Sequence, residues 1–157
     1  MHFPMNASGT HKKGSADFAH VLKKHGLKAT AQRLAVHEAM TVLGHASADM
    51  VFEQIAASGI QVKITVASIY NILSQMALHG IYRHRLSANN KMYFDVTTAS
   101  HIHLYDLSTH TFKDVPDDDF SEMIFSRLSH RRFKGYKVDS VDVQILVRPR
   151  QKPTHRK

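Results

Sequence analysis

Residues 65–96 decide the fold, and they read TVASIYNILSQMALHGIYRHRLSANNKMYFDV. Thr65 can cap a helix whose apolar residues recur at helical spacing, and Gly80 follows that helix. Residues 81–96 then change pattern and predict a β-hairpin with a polar turn at its centre. A hairpin directly after a capped helix is typical of a wing beside a recognition helix.

Three further short helices are predicted upstream of this segment. Each has apolar residues at helical spacing between a polar start and a closing glycine, and they cover residues 15–25, 30–44 and 47–59. Four helices and a wing predict a winged helix-turn-helix domain over residues 15–96, preceded by a flexible arm of residues 1–14.

A second, smaller domain is predicted after a hinge at residues 97–100. It spans residues 101–148, and its predicted elements are two strands, a helix and a third strand, at residues 101–107, 111–115, 116–128 and 136–148. Three strands and one helix make a core too small to be stable alone, so we expect this domain to dimerise. Residues 149–157 form a basic tail. The expected fold class is therefore α/β (α+β), an N-terminal winged-helix DNA-binding domain followed by a small α/β dimerisation domain.

The composition narrows the class of protein. The 157 residues include no cysteine, which excludes disulfides, thiolate zinc sites and thiol redox switches. No apolar run is long enough to cross a membrane, and the first residues lack the apolar core of a signal peptide. These features predict a cytoplasmic protein with no membrane partner. Thirteen histidines are unusual, and they raise the question of a metal or haem.

The charge is concentrated in the first part of the chain. Residues 1–91 carry ten Lys or Arg against four Asp or Glu, whereas residues 92–157 carry eleven against nine. A basic N-terminal half is the electrostatic pattern expected of a nucleic-acid binder.

The fourth helix carries a polar face that predicts base recognition. Ser68, Asn71 and Gln75 recur at i, i+3 and i+7, opposite the apolar stripe. Asn and Gln can pair with adenine through two hydrogen bonds, and Tyr70 can contact a thymine methyl or a phosphate, so an A/T-rich duplex is expected. The alternative is a solvated helix face, against which the wing and the basic N-terminal half argue.

Basic residues around this helix are predicted to contact the DNA backbone. Those predicted for phosphates are Lys63, Arg83, Arg85 and Lys91, and those for backbone or minor groove are Lys28 and Arg33.

A histidine and carboxylate cluster is the sharpest chemical signal. His101 and His103 are two apart in a predicted strand, so both imidazoles lie on one face. Asp95 and Asp114 end neighbouring strands, and His45 follows the second helix. Nitrogen and oxygen ligands without sulfur suit a divalent ion such as Fe²⁺, Mn²⁺, Zn²⁺ or Co²⁺. Two surface histidines are the alternative.

A metal bound by these residues would link the two domains. It would fix the angle at the hinge and shift the population toward the geometry that binds DNA. A coupling of about 1–3 kcal/mol, typical of allostery, would change DNA affinity roughly 5–150-fold.

The chain resembles the ferric uptake regulator (Fur) family in an ordered series of motifs between residues 17 and 148. The motifs are GLKATAQR at residues 26–33, GHASAD at 44–49, TVASIYNIL at 65–73, YFD at 93–95 and HIHL at 101–104. The resemblance implies an iron- or other metal-sensing dimeric repressor with a recognition-helix tyrosine at Tyr70 and a minor-groove lysine at Lys28. It also implies a regulatory metal site between the domains, with ligands His45, Asp95, His101, His103 and Asp114.

The sequence also departs from the family pattern. The family's structural zinc site uses two CxxC pairs, and this chain has no cysteine. Ser100 and Ile102 stand where ligands of the family's second His/Asp site are expected, and the strand at residues 136–148 has no histidine. One divalent metal per protomer, Fe²⁺ or Mn²⁺ in the cell and Zn²⁺ in vitro, is therefore expected.

Within the family, the chain most resembles the iron response regulator (Irr) branch. The resemblance lies in Tyr70-Asn71, in the YFD motif and in the basic residues 147–150. Members of that branch can respond to haem near a histidine cluster, which here is reduced to His101 and His103.

The sequence therefore predicts a metal-responsive transcription regulator of iron or manganese homeostasis. We expect a repressor that binds double-stranded DNA as a homodimer or higher oligomer. A haem-responsive or metal-independent Irr-like regulator remains the alternative, and a metal-buffering protein is another. A metalloenzyme is not expected, because no substrate pocket or positioned base is apparent beside the histidines.

Overall fold

The structure is a computed structural model that describes residues 11–99, 101–115, 119–131, 133–138 and 141–150. It divides into two compact units. The first unit runs to Arg85 and includes Met92–Thr98, and the second comprises Leu86–Lys91 together with the chain from Ala99 onward. No helix in these described ranges is long and apolar enough to cross a membrane.

The first unit contains four helices and three short strands. The helices are α1 (His11–Lys24), α2 (Ala31–Leu43), α3 (Ala48–Ser58) and α4 (Val66–Leu78), and the strands are β1 (His45–Ala46), β2 (Arg83–Leu86) and β3 (Met92–Asp95). This is the predicted winged-helix arrangement of four helices followed by a hairpin. The helix α1 begins at His11, earlier than the predicted flexible arm allowed, because Lys12 and Lys13 favour a helix and only Gly14 opposes it.

Hydroxyl caps fix where three of the helices begin. The side chain of Thr30 accepts a hydrogen bond from the backbone N–H of Arg33, and Thr65 does the same for Ser68. Ser47 caps α3 in the same way. Each cap satisfies a backbone donor that the helix itself leaves unpaired, which stabilises a helix by about 1 kcal/mol. The predicted caps are those observed.

All four helices contribute to one apolar core. Its fully buried members with an exposed fraction of 0% are Leu22, Val36, Met40, Ala46, Val51, Ile69, Leu73 and Met76. Each buried aliphatic side chain of this size contributes about 1.5–3 kcal/mol relative to an exposed one. The inner face of α4 is thus packed into the core, and its opposite face is exposed.

The small sheet of the first unit has the strand order β1-β3-β2. The strand β1 pairs antiparallel with β3, and His45 lies opposite Asp95. At the tip of the β2–β3 hairpin, the backbone N–H of Ser87 donates to the carbonyl of Lys91 over 2.9 Å. Asn90 has a φ of 60°, in the left-handed region that asparagine tolerates better than most residues.

A half-buried histidine joins α1, α2 and the start of the wing. The ring of His37 stacks on Phe18 with centroids 3.4 Å apart, and its Nδ1 is 2.7 Å from the hydroxyl of Tyr82. Burial raises the pKa of Tyr82, so the hydroxyl stays protonated and donates to His37. Burial also lowers the pKa of His37 to about 4, which keeps the imidazole neutral.

This depressed pKa predicts a loss of stability in acid. Between pH 6.5 and 4 the unfolded chain protonates His37 while the folded protein resists, so the stabilisation present above pH 6.5 is lost as the pH falls through that window. We expect His37→Gln to lower the free energy of unfolding at pH 7. The gap in this free energy between wild type and variant is expected to narrow by about 1–2 kcal/mol at pH 4, a value that allows for the partial exposure of the ring. Urea denaturation at each pH measures this gap. The matched control His20→Gln changes an exposed histidine and keeps a constant gap; a constant gap for His37→Gln would contradict the account.

The second unit contains a three-stranded sheet and one helix. Its elements are β4 (Ile102–Asp106), β5 (Thr111–Val115), α5 (Phe120–Ser129) and β6 (Val143–Val147). The strand order is β5-β4-β6, with β4 antiparallel to β5 and parallel to β6. The fold class is therefore the predicted α+β class.

Two predictions for this unit need correction. The third strand covers Val143–Val147 rather than residues 136–148, because its ladder partner β4 offers only five residues. The helix α5 begins at Phe120, and Asp119 in front of it has a φ of 59° and makes no side-chain cap. The rest of the predicted acidic helix start, residues 116–118, lies outside the described residues. So do residues 1–10 of the predicted arm, Ser100 of the predicted hinge and residues 151–157 of the basic tail.

Candidate metal centre and nucleic-acid interface

The first unit places an imidazole against a buried carboxylate. Because β1 pairs with β3, His45 and Asp95 face each other, and His45 Nε2 lies 3.0 Å from Asp95 Oδ2. Both side chains are buried, with exposed fractions of 8% and 1%. The other oxygen, Asp95 Oδ1, accepts a hydrogen bond of 2.7 Å from the backbone N–H of Thr97. The pair offers one nitrogen and one oxygen ligand in a rigid position.

Arg85 is part of the same cluster. Its Nη2 lies 3.7 Å from Asp95 Oδ2, and its side chain is only 6% exposed. The prediction that Arg85 contacts a DNA phosphate is therefore corrected, because a buried guanidinium beside a buried carboxylate acts as its counter-charge. The sequence correctly predicts that Arg85 lies in the hairpin, but it does not predict that the side chain is buried there.

The second unit brings two imidazoles to one face. The rings of His101 and His103 have centroids 4.1 Å apart, as expected for residues two apart at a strand. His101 Nδ1 is 2.8 Å from the carbonyl of Ala99, and because a carbonyl only accepts, Nδ1 carries the proton. The other ring nitrogen, Nε2, lies 3.2 Å from Asp114 Oδ1.

Two carboxylates lie near His103. Asp114 is its direct cross-strand partner, with Oδ1 3.6 Å from His103 Nε2, and Asp142 Oδ1 is 3.9 Å from Nδ1. The imidazole is 1% exposed, whereas the carboxylates of Asp114 and Asp142 are about half exposed. Sequence reasoning missed Asp142, because its approach depends on the parallel register of β6 against β4, which no local pattern reveals.

Each of these two clusters offers side-chain atoms that can ligate a divalent metal ion. The first unit supplies an imidazole and a carboxylate, and the second supplies two imidazoles and a carboxylate. Nitrogen and oxygen ligands of this kind suit Fe²⁺, Mn²⁺ and Zn²⁺. The hydrogen bond from His101 Nδ1 is the outer contact that commonly orients a metal-binding imidazole. The residues present therefore fit a metal ion.

The exposed face of α4 carries most of the predicted base readers. Asn71 and Gln75 are exposed, and Tyr70 is 44% exposed with its ring set edge-to-face on Phe94 at 5.9 Å. Ser68 differs from the prediction, because its hydroxyl lies 2.9 Å from that of Thr65 within the helix cap and is already engaged. Sequence reasoning missed Phe94, the buried neighbour of Asp95 that supports the tyrosine.

The predicted phosphate-binding residues fall into two groups. Lys28, Lys63 and Lys91 are exposed, and Arg83 is half-buried on the hairpin. Arg33 instead donates to the carbonyl of Lys28 over 2.8 Å and to Gln75 Oε1 over 2.7 Å. The three exposed lysines can reach a polyanion, while the guanidinium of Arg33 donates to two acceptors of the protein.

The fold and these side chains define a class of protein. The structure has four helices with a wing, an exposed polar face on the last of these helices and a second small α/β unit. These are the features of a winged-helix transcription regulator. The chain belongs to the ferric uptake regulator family, whose model matches residues 24–146. Proteins of this family are transcription regulators and not enzymes.

Solved structures show the same fold. The ferric uptake regulator of Vibrio cholerae is 22% identical with a TM-score of 0.68, and the match covers 85% of this chain and all of that one. The ferric uptake regulator of Pseudomonas aeruginosa, solved with manganese, is 21% identical with a TM-score of 0.58, covering 84% and 97% of the two chains. The peroxide stress regulator of Campylobacter jejuni is 25% identical with a TM-score of 0.58, covering 85% and 96%. No curated protein sequence matches the chain.

Proposed function

We propose that this protein is a metal-responsive transcriptional repressor that binds duplex DNA as a homodimer. One divalent ion per protomer is held by His45, Asp95, His101, His103 and Asp114. The observation that carries the proposal is the convergence of two imidazoles on one carboxylate in the second unit: His101 Nε2 and His103 Nε2 lie 3.2 Å and 3.6 Å from the same oxygen of Asp114. Two nitrogens and an oxygen grouped in this way can ligate a divalent cation.

The ion is Fe²⁺ or Mn²⁺ in the cell, with Zn²⁺ as a substitute in vitro. The donor set has no thiolate, which removes the main preference for zinc or copper(I). The Pseudomonas aeruginosa relative was solved with manganese, which supports the same choice here. A bound ion supplies a fixed positive charge that orders its ligands. Asp142, whose Oδ1 is 3.9 Å from His103 Nδ1, places a second negative charge beside that imidazole.

Chain connectivity lets both clusters share one ion. Asp95 and His101 are six residues apart, which spans at most ~20 Å. Ligation by both units would restrict residues 97–100 and so select one arrangement of the DNA-binding units in a dimer. The result is a change in DNA affinity of roughly 5–150-fold, the usual range of allosteric coupling.

DNA recognition is assigned to α4 and its surroundings. Tyr70 and Asn71 are exposed on this helix, with Gln75 on the same face, and its opposite face is buried in the core. Lys28, Lys63, Arg83 and Lys91 supply phosphate contacts, which carry affinity but no sequence information.

Dimerisation is assigned to the second unit because its apolar residues are poorly covered. Among its described large apolar residues from Ala99 onward, those exposed by 40% or more are Phe120, Met123, Phe125, Phe133, Tyr136, Ile145 and Leu146. Among the residues that the structure describes in this unit, the buried apolar ones are Ile102 and Tyr105. Exposed apolar residues at this density are typical of an interface, and a second copy of the same unit is the occupant that gives two DNA-binding units per assembly.

We propose that the protein belongs to the iron response regulator branch of the family. The residues that support this assignment are Tyr70-Asn71, the YFD motif at 93–95 and the basic residues 147–150. Haem is the alternative signal. The 1% exposure of His103 disfavours haem, because a haem ligand needs a cavity beside its ring large enough for the macrocycle.

Selection from a random duplex pool tests this function. With Mn²⁺ present at fixed salt, we expect the protein to enrich a palindromic sequence, and with the metal chelated we expect the enrichment to fall. Enrichment only with haem would assign the signal to haem. No enrichment under any condition, together with several weak metal sites, would indicate a metal-buffering protein.

A further inference from the structure

The side chain of Arg33 holds the amide of Gln75 in one orientation. Arg33 Nη2 donates to Gln75 Oε1 over 2.7 Å, joining α2 to the outer face of α4. A guanidinium has five donors and no acceptor, so the amide oxygen must face Arg33. The NH2 group of Gln75 is then directed away from Arg33.

The same guanidinium is fixed at a second point. Arg33 Nη1 donates to the carbonyl of Lys28 over 2.8 Å. The neighbouring residue, Gln32, donates through Nε2 to the carbonyl of Lys63 over 2.8 Å. Two consecutive side chains at the start of α2 are thus hydrogen-bonded to the α4 region. Gln32 binds the segment before α4, and Arg33 binds the last turn of α4. Both terminal nitrogens of the Arg33 guanidinium therefore donate hydrogen bonds to acceptors of the protein.

This arrangement limits what Gln75 can recognise. A glutamine that reads adenine uses its oxygen and its NH2 together, accepting from N6 and donating to N7. Here the oxygen already accepts from Arg33, and among the described residues the NH2 group makes no hydrogen bond. The amide oxygen keeps a second lone pair, but it is turned toward Arg33, so the NH2 group is the part of Gln75 left to read a base. A single donor fits guanine O6 or N7, thymine O4 or adenine N7, and therefore gives no preference for adenine.

We propose that Arg33 is a specificity-determining positioning residue that does not itself contact DNA. It competes with adenine N6 for the amide oxygen of Gln75, so that Gln75 reads a base through its NH2 group and loses its preference for adenine. This inference rests on the proposed DNA-binding function. It replaces the expectation from sequence that Gln75 pairs with adenine and that Arg33 binds the backbone or the minor groove. The base preference at one position of the operator is then set by a residue on another helix.

Two variants test the proposal on the duplex selected by the wild-type protein. In Arg33→Met the amide is released and can turn, so we expect the relative affinity for adenine at the position read by Gln75 to rise on the order of tenfold. In Arg33→Met/Gln75→Met this rise disappears. Each variant is first compared with wild type in thermal unfolding to confirm that it folds. If Arg33→Met does not fold, Gln75→Glu is used instead. This variant keeps an acceptor for Arg33 but removes the NH2 donor of Gln75. Loss of the base preference at this position then supports the proposal, and an unchanged base preference overturns it.

The salt dependence of binding separates positioning from phosphate contact. Arg33→Met is expected to leave the slope of log affinity against log salt unchanged, whereas Lys28→Ala lowers it by about one. A slope lowered by about one in Arg33→Met with an unaltered base preference would make Arg33 a phosphate ligand and overturn the inference while the proposed function stands. Absence of specific binding by the wild-type protein would instead refute the proposed function, and the inference with it.

Discussion

Replacing Asp95 by alanine is expected to destabilise the protein by about 3–5 kcal/mol, because it removes a buried carboxylate that lies against the buried guanidinium of Arg85 and the imidazole of His45. Asp95 is 1% exposed and lies against both His45 and Arg85, and its other oxygen accepts from the backbone of Thr97. A loss of this size is a large part of the stability of an ordinary domain. Urea denaturation of the metal-free protein measures it.

The matched control for this variant is Asp114→Ala. Asp114 is 49% exposed, so its loss is expected to change the free energy of unfolding by less than about 1 kcal/mol. Both variants are expected to weaken Mn²⁺ binding by at least on the order of 10–100-fold, because both remove a ligand. Equal stability of the two variants would contradict the role of Asp95 as a buried counter-charge, and unchanged Mn²⁺ affinity would remove the affected residue from the site.

Replacing Ile145 by glutamate is expected to convert the dimer to monomers. Ile145 lies on β6, an edge strand of its sheet, and is 42% exposed in the single chain. Burying a carboxylate in an apolar interface without a partner costs several kcal/mol, enough to change an association constant by more than a hundredfold. Affinity for a palindromic duplex should fall with it. Sedimentation at micromolar concentration, followed by DNA titration, measures both effects.

Val42→Glu is the control for this substitution. Val42 is 62% exposed on α2 of the first unit, outside the apolar surface assigned to dimerisation. We expect this variant to keep the association state of the wild type. Dimers that persist in Ile145→Glu would move the interface elsewhere on the second unit, and monomeric wild-type protein would refute the proposed dimer.

The sequence predicted those elements that local chemistry determines. Thr30, Ser47 and Thr65 cap their helices as expected, because a cap depends on residues three positions away. The strand β1 was missed, since two residues show no alternation and His45–Ala46 becomes a strand only by pairing with β3. The length of β6 was wrong for the same reason, because its partner β4 sets it.

The candidate sites divide in the same way. That His101 and His103 share one face follows from the two-residue period of a strand, and the structure shows their rings together. The approach of Asp142 to His103 and the inward turn of Arg85 depend on strand pairing between distant residues, so the sequence alone did not predict them. The hydrogen bond between Arg33 and Gln75 joins residues 42 positions apart, so the sequence alone did not predict it either.

The central claim is that a metal ion held by His45, Asp95, His101, His103 and Asp114 controls DNA binding. The most direct test titrates Mn²⁺ at fixed salt into wild type and His101→Ala/His103→Ala, each mixed with the selected duplex, after unfolding curves confirm that both proteins fold. We predict that wild-type affinity for the duplex rises roughly 5–150-fold with metal while the variant does not respond. Specific binding that is equally tight with and without metal in the wild type, or an equal response in the variant, would contradict the account.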